Sequence, residues 1–513
     1  MTSSGTDGTL RLVELLGAIS VATDLGTGQP YSHAIRTSVL AVEAGRELGV
    51  AEDELADLQQ VALLRFLGCT ADAWRTAHLA GGDEIAFFAA MAPAVMGSKI
   101  DMARRLISAA GVGLSGYRRA ALLAGALARP HGGERTLSVH CEVASRLAAG
   151  LGVNSAVQQA LSHAYERWDG RGIPSGLAGF EIPLATRVAV VARDADIFWR
   201  ADPRRFSDAL RGRRGRGYDA AVVDACVRIG PEVLGELDRG NAWQAMLAAN
   251  ASGEQLDAAR LDRALLAVAA FADLKSRWTL GHSAKVAELA AAAATAVGMT
   301  SAQILRLRRA GLVHDVGRVG VPVGIWDRPG PLDVSDWERV RMHPYLTERT
   351  LARCPVLADV GRLAGAHHER IDGSGYYRGT RDLDLPERLL GCADVVAAMG
   401  EERPYRAASS PAQVADAVRD EVRAGRLDRT AADAVLGVAG TLPVADRPAG
   451  LTDREVEVLV RITRGGTNQE VAADLRLSVK TVGRHIENIY AKIGVNSRAA
   501  AAVFAMQHRL LGH

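Results

Sequence analysis

Two pairs of equal spacings constrain this chain more than any other feature. His282 and Asp315 stand 33 positions apart, and so do His33 and Phe66. His343 and Asp372 stand 29 apart, as do His140 and Asp169. Around the second pair the words also match. Glu166-Arg167-Trp168-Asp169-Gly170-Arg171-Gly172 and Glu369-Arg370-Ile371-Asp372-Gly373-Ser374-Gly375 share the pattern Glu-Arg-x-Asp-Gly-x-Gly. A chain that repeats itself over such distances folds as two copies of one unit. The first copy carries extra residues between Leu67 and His140.

Helical periodicity sets the class of that unit. Val286, Leu289, Ala293 and Val297 recur at helical spacing, Gly298 can end the helix, and Thr300 or Ser301 can cap the next. Only 5% of residues are aromatic, against 48% hydrophobic overall, which favours helices over sheets. The length of 513 residues requires several domains. Net charge is +2, so any nucleic-acid contact must come from a local patch. The five cysteines are scattered without a CxxC pair, so neither a disulfide framework nor a zinc finger is expected. Met1 to Leu10 lacks a signal-peptide pattern and no apolar run is long enough to span a bilayer, so a cytoplasmic protein without membrane contact is expected.

The second copy concentrates metal-binding chemistry. His282, His314, Asp315, His343, His367, His368 and Asp394 form a set of imidazoles and carboxylates. Imidazole with bridging carboxylate suits first-row metals, and a bundle draws such ligands from separate helices. Two ions held this way lower the pKa of bound water and neutralise phosphate oxygens. The helix carrying His367 and His368 is expected to break at Asp372-Gly373-Ser374-Gly375. The first copy has lost this set. Arg65-Phe66 stands where His314-Asp315 stands, Ala164-Tyr165 where His367-His368 stands, and Arg193 where Asp394 stands. Arginine offers no lone pair to a metal. His33 and His140 read as leftovers of ancestry, and the copy as a scaffold or regulatory domain.

These residues resemble the HD-GYP phosphohydrolases over roughly residues 255–430. The resemblance rests on Gly281-His282-Ser283, His314-Asp315, His343-Pro344, His367-His368-Glu369 with Asp372-Gly373-Ser374-Gly375-Tyr376, Ala393-Asp394, and Arg403-Pro404-Tyr405-Arg406. It implies an all-helical bundle, two divalent ions (iron or manganese foremost) and hydrolysis of a cyclic dinucleotide, cyclic di-GMP first. Asp315 and Arg318 would be catalytic. Arg318, Asp372, Gly375, Tyr376 and Arg403 would meet the substrate. Arg318 replaces the family's usual Lys, and Tyr377 its Pro. Trp278 stands where some members carry a Glu that helps hold a third metal, hence two ions rather than three.

The C-terminus reads separately. Thr452 and Glu455 fit a capping box, a second helix runs from about Asn468 to Arg476, and Ser478 can cap a third. There Val482, Ile486, Ile489 and Ile493 share one face, leaving Lys480, Thr481, Arg484, His485 and Asn488 outward as a recognition helix requires. Lys492 joins them as a DNA contact. Residues 451–513 hold nine Lys/Arg against six Asp/Glu. The stretch looks like the LuxR-type helix-turn-helix, which implies double-stranded DNA as partner and a homodimer, with the last helix, Ser497 to His508, mediating it. Two signals are set aside. Gly81-Gly82-Asp83-Glu84 matches a cyclase signature but sits in helical sequence, and Arg211–Arg216 reads as a solvated loop.

The expectation is all-α: two HD-type helical bundles in tandem plus a C-terminal four-helix LuxR-type helix-turn-helix. The boundaries are 1–245 for the degenerate copy, 255–440 for the metal-bearing copy, 441–450 for a linker, and 451–513 for the DNA-binding domain. The function expected is a transcriptional regulator carrying a cyclic dinucleotide phosphodiesterase. The alternative is a nucleotide-gated transcription factor without turnover.

Overall fold

The computed structural model describes residues 10–94, 99–112, 114–127, 132–249, 253–440 and 447–511. Its only two strands among these, Leu10–Arg11 and Gln255–Leu256, pair antiparallel; the other regular elements are helices. The first copy is built on helices Leu12–Gly26, His33–Glu47, Glu52–Leu64, Gly132–Leu151, Ser155–Ser162 and Leu184–Ala201, followed by Ala220–Arg239. The second repeats the order with Ala258–Asp273, His282–Ala296, Ser301–Val313, His343–Leu351, Pro355–Ala364 and Leu385–Met399.

The repetition extends to backbone contacts. Asp24 accepts from the Ala34 amide as Asp273 does from Ser283. A Cβ on Gly68 would lie 1.9 Å from the His140 carbonyl oxygen, and one on Gly317 would lie 2.0 Å from that of His343. Glycine is required at both because two backbones touch. In the second copy Thr300 caps its helix through a capping box with Gln303, and Gly298 follows the preceding helix at φ 77°.

The copies are not separate bodies. The strand pair ties the start of one to the start of the other. Helix Ala242–Ala249 carries the first copy beyond the expected boundary at 245 and sets Met246 against Gly17. One apolar core runs continuously from Leu10 to Leu511. The insertion of the first copy includes helix Glu84–Met91, capped by Asp83 at the Ala86 amide. The Gly-Gly-Asp-Glu run thus opens a helix. Its Glu84 is buried in an ion pair with Lys275 (2.5 Å) and accepts from the Val323 amide.

The C-terminal domain has helices Asp453–Thr463, Asn468–Leu475, Val479–Ile493 and Arg498–Gln507. Thr452 and Glu455 form the capping box, Arg476 turns the chain at φ 53°, and Ser478 accepts from the Thr481 amide. Most of the expected linker, residues 441–446, lies outside the described residues; Pro448–Gly450 is one 3-10 turn. The last helix, expected to mediate a dimer, packs on Gly132–Leu151 and Ala258–Asp273 of the same chain, with Ala500 through Met506 buried. Gly150 allows that approach, since a Cβ there would meet Gln507 at 2.7 Å and Ala267 at 2.8 Å. The Asn496 amide donates to Glu142, and Arg509 pairs with Glu288 at 3.2 Å. Leu511 rests on Gly281, whose added Cβ would be 3.1 Å from the leucine's Cβ.

No helix among the described residues is long and apolar enough to cross a membrane. All five cysteines are free and buried.

Candidate metal centre and nucleic-acid interface

Helix ends, one turn and one helix interior bring the seven expected ligands of the second copy together. His282 opens helix His282–Ala296 and His343 opens His343–Leu351. His314 follows the last residue of Ser301–Val313, and Asp315 precedes the 3-10 turn Val316–Gly320. His367 and His368 lie in a turn past helix Pro355–Ala364, which ends at Gly365 rather than at the Asp-Gly-Ser-Gly run expected to break it. Asp394 lies inside helix Leu385–Met399.

Hydrogen bonds fix three rings. Nδ1 of His314, His343 and His367 donates to the carbonyl three residues back, of Gly311, Val340 and Ala364 respectively. Each Nε2 is thereby left facing the centre. Nε2 of His343 and of His367 lie 3.1 Å apart, both acceptors in that tautomer, and Nε2 of His314 has no hydrogen-bond partner in the described structure. A cation between these nitrogens resolves the conflict. Two clusters result: His282, His314 and Asp315 in one, His343, His367 and His368 in the other. Asp315 spans them, with Oδ1 at 3.4 Å from His343 and Oδ2 at 3.6 Å from His314. Asp394 spans them too, with Oδ1 at 3.2 Å from His282 and Oδ2 at 3.7 Å from His368.

The electrostatics favour ligand-ready protonation states. Burial pushes His343 down to about 4 and His367 down to about 3, keeping both neutral. Burial also opposes ionisation of Asp315, but Arg318 and the surrounding imidazoles hold its carboxyl well below the usual range. His282 differs. Burial pushes it down, yet Glu401 and Asp394 outweigh that and raise it to about 10.

The expected substrate contacts divide. Arg318 lies at the edge of the centre, 3.2 Å from Asp315, its guanidinium 3.8 Å above the Trp326 ring. Tyr376 packs its ring 4.7 Å from that of His368. Asp372 does not face the centre; Ser374 takes its carboxylate with both amide and hydroxyl, closing a turn. Gly375 is needed for packing, since a Cβ there would lie 2.5 Å from the Glu369 Cα. Arg403 points behind the centre, donating to Glu401 (2.8 Å) and to the Trp278 carbonyl. The Tyr377 side chain turns away to Glu348 and Tyr345.

Sequence reading missed three supports. Glu401 binds His282 Nδ1 at 3.0 Å. Thr347, one turn after His343, donates to the His314 carbonyl and accepts from the Gly317 amide. Buried Glu369 anchors the loop after His368 by accepting from the Arg378 and Thr380 amides. The repeat of Glu369 as Glu166 was the available signal, since Glu166 accepts in the same way from Ser175 and Gly176.

The geometry agrees with known proteins. The HD domain family matches residues 133–219, a part of the first copy, and 267–431 in the second. The 3′3′-cGAMP-specific phosphodiesterase 3 of Vibrio cholerae is 30% identical over 437 residues, which is 80% of this chain and 91% of that protein. The chain belongs to the HD-GYP family. A crystal structure of a V. cholerae cyclic GMP-AMP-specific phosphodiesterase covers 85% of this HD-GYP chain and 99% of its own, with TM-score 0.58 and 27% identity. A cyclic di-GMP phosphodiesterase of Thermotoga maritima is 32% identical over 151 residues, 28% of this chain and 40% of that one. At the C-terminus the luxR family of bacterial regulatory proteins matches residues 449–505. The response regulator VraR of Staphylococcus aureus is 43% identical over 61 residues, 12% of this chain and 29% of that one. The chain therefore joins tandem HD domains to a LuxR-type DNA-binding domain.

On the recognition helix Val479–Ile493, Val482, Ile489 and Ile493 are buried and Ile486 half-buried, while Lys480, Arg484 and Asn488 are exposed. Thr481 and His485 are half-buried, and the Thr481 hydroxyl bonds Ser478. Lys492 departs from expectation. Its ammonium is drawn back to the Glu455 carboxylate (2.7 Å) and the Gly450 carbonyl (3.0 Å), because the capping box leaves that carboxylate beside it.

Proposed function

We propose that the second copy hydrolyses a cyclic dinucleotide with two divalent metal ions, and that the LuxR-type domain couples this chemistry to double-stranded DNA. The observation that carries the reading is the pair of ligand clusters spanned by Asp315 and Asp394. His282, His314, Asp315 and Asp394 would hold one ion; His343, His367, His368 and the same two carboxylates would hold the other. The donor set suits iron or manganese. Such ions, when bound, supply a hydroxide at neutral pH and neutralise charge on phosphate oxygens.

The remaining work falls to side chains of the chain itself. Arg318, fixed between Asp315 and the Trp326 face, neutralises a phosphate oxygen at the rim. Tyr376 forms a wall over His368 that excludes water and offers a ring to a base. Lys480, Arg484 and Asn488 meet DNA, the first two taking phosphate or guanine and Asn488 a base edge. The relative that spans both copies is specific for 3′3′-cGAMP, which places that nucleotide beside cyclic di-GMP as a substrate to test.

The experiment incubates manganese- or iron-loaded protein with each nucleotide and resolves linear products by chromatography. Turnover of at least one is expected. His314→Ala with Asp315→Ala should abolish turnover and leave DNA binding intact. Nucleotide binding without product would favour a nucleotide-gated factor instead, and unchanged turnover in the double variant would refute the assignment.

A further inference from the structure

We infer that the first copy binds a phosphate-bearing small molecule at the position equivalent to the metal centre of the second, held by Arg65 and Arg193. The repeat places Arg65 at the His314 position, Phe66 at Asp315, Arg193 at Asp394, His33 at His282 and His140 at His343. The matching contacts of Gly68 on His140 and Gly317 on His343 show that the backbones correspond there. Arginine excludes a metal from this position.

The polar groups there are buried and unspent. Arg65 is 8% exposed, and its Nε and Nη1 have no hydrogen-bond partner in the described structure. It forms no ion pair among the described residues; its guanidinium lies 5.5 Å from the Tyr165 ring centre. Arg193 donates through Nη1 to Asp194, but its Nε is unpartnered. Both His140 nitrogens and His33 Nε2 are unpartnered as well. Phe66 lies between the two arginines, 5.9 Å from the Arg65 guanidinium carbon and 5.4 Å from that of Arg193.

The charges do not balance internally. Arg213, from the run read as a solvated loop, turns inward and pairs with Asp194 at 2.8 Å. Asp194 thus serves Arg193, Arg213 and the Tyr218 hydroxyl. Asp196 is taken by His33, Arg36 and Arg200. Glu166 Oε1 accepts from backbone amides. The arginines do not stand in for lost metals either, because the carboxylates those metals would balance are gone with them. Three arginines, Arg65, Arg193 and Arg213, thus face two carboxylates, Asp194 and Glu166, whose Oε2 is itself unpartnered, and the excess buried cation calls for an anion. The planar fork of guanidinium fits phosphate oxygens, and Phe66 and Tyr165 supply flat apolar faces beside it. Arg65, Phe66, His140, Tyr165 and Arg193 line a groove, with the unpartnered atoms of Arg65 and His140 buried at its wall.

The test titrates full-length, chelator-treated protein calorimetrically with inorganic phosphate, guanosine 5′-monophosphate and a linear dinucleotide bearing a 5′-phosphate. Removing metals stops the hydrolysis proposed for the second copy, and the Arg65 and Arg193 variants separate binding at this position from binding at Arg318 there, so the result does not depend on the function proposed for it. One ligand per chain is expected, and Arg65→Met and Arg193→Met should each weaken it about tenfold or more, as loss of a charge-assisted pair does. Phosphate binding as tightly as the nucleotides identifies the free anion as ligand; preference for a nucleotide identifies the base-bearing form. Arg65→Met should also raise the melting temperature of the ligand-free protein by removing the uncompensated charge. Failure of all three probes to bind, undiminished binding in both variants, or a lower melting temperature for Arg65→Met overturns the inference.

Discussion

At the scale of single residues, His282 has a different task from its fellow ligands. Three rings are oriented by carbonyls one turn behind them, whereas His282 is held between Glu401 and Asp394. With its pKa raised to about 10 it carries a proton at pH 8, which a metal must displace. Metal loading at pH 8 should therefore release about one proton per chain from His282, in addition to any given up by metal-bound water, and affinity should rise with pH. Calorimetry in buffers of different ionisation enthalpy checks this. In Glu401→Gln the imidazole loses its main charge partner, the count should fall by up to about one relative to the parent, and metal affinity should drop roughly 10–100-fold, as for other residues that orient a ligand. That the seven proposed ligands gather in one place was legible from residue type and spacing. Glu401 was not, because a support that acts through another side chain has no motif of its own. Asp372 and Arg403 were misread for a related reason. Their places in the sequence pattern are those of site residues, but the fold spends one on a turn and the other behind His282.

At the scale of elements, glycine decides how closely the pieces of the centre approach. Gly317 sits against the His343 carbonyl and the Thr347 amide, where a Cβ would come within 2.0 and 2.7 Å. Gly317→Ala should cost about 3 kcal/mol, the upper range for overpacking, and loosen metal binding by moving His343. Gly298→Ala meets nothing within 4 Å but sits at φ 77°, so it should cost only about 1–2 kcal/mol and leave metal binding alone. Denaturant melts with metal titrations separate the two. Helices and caps were readable because they depend on neighbours three or four positions away: Thr300, Thr452 and Ser478 cap as expected. The short turn that carries His367 and His368 was not, because Gly365 ends the helix by tertiary contact with Glu348 and Pro344 rather than by a local signal.

At the scale of the whole molecule, periodicity revealed the duplication but not that the copies share one core, since packing between distant helices leaves no periodic trace. The same limit hid the docking of the last helix on the first copy. Gly150→Met should wedge that junction open and expose the buried face of Ala501, Phe504 and Ala505. Concentration-dependent self-association in sedimentation, absent from the parent at the same concentration, is the expected result. The seat of Leu511 on Gly281 gives this architecture a thermodynamic obligation. The final turn of the DNA-binding domain leans on the residue that precedes the proposed metal ligand His282. If engaging an operator shifts that leucine, the free energy it adds to or takes from metal loading must be returned in equal measure when metal alters the grip on DNA.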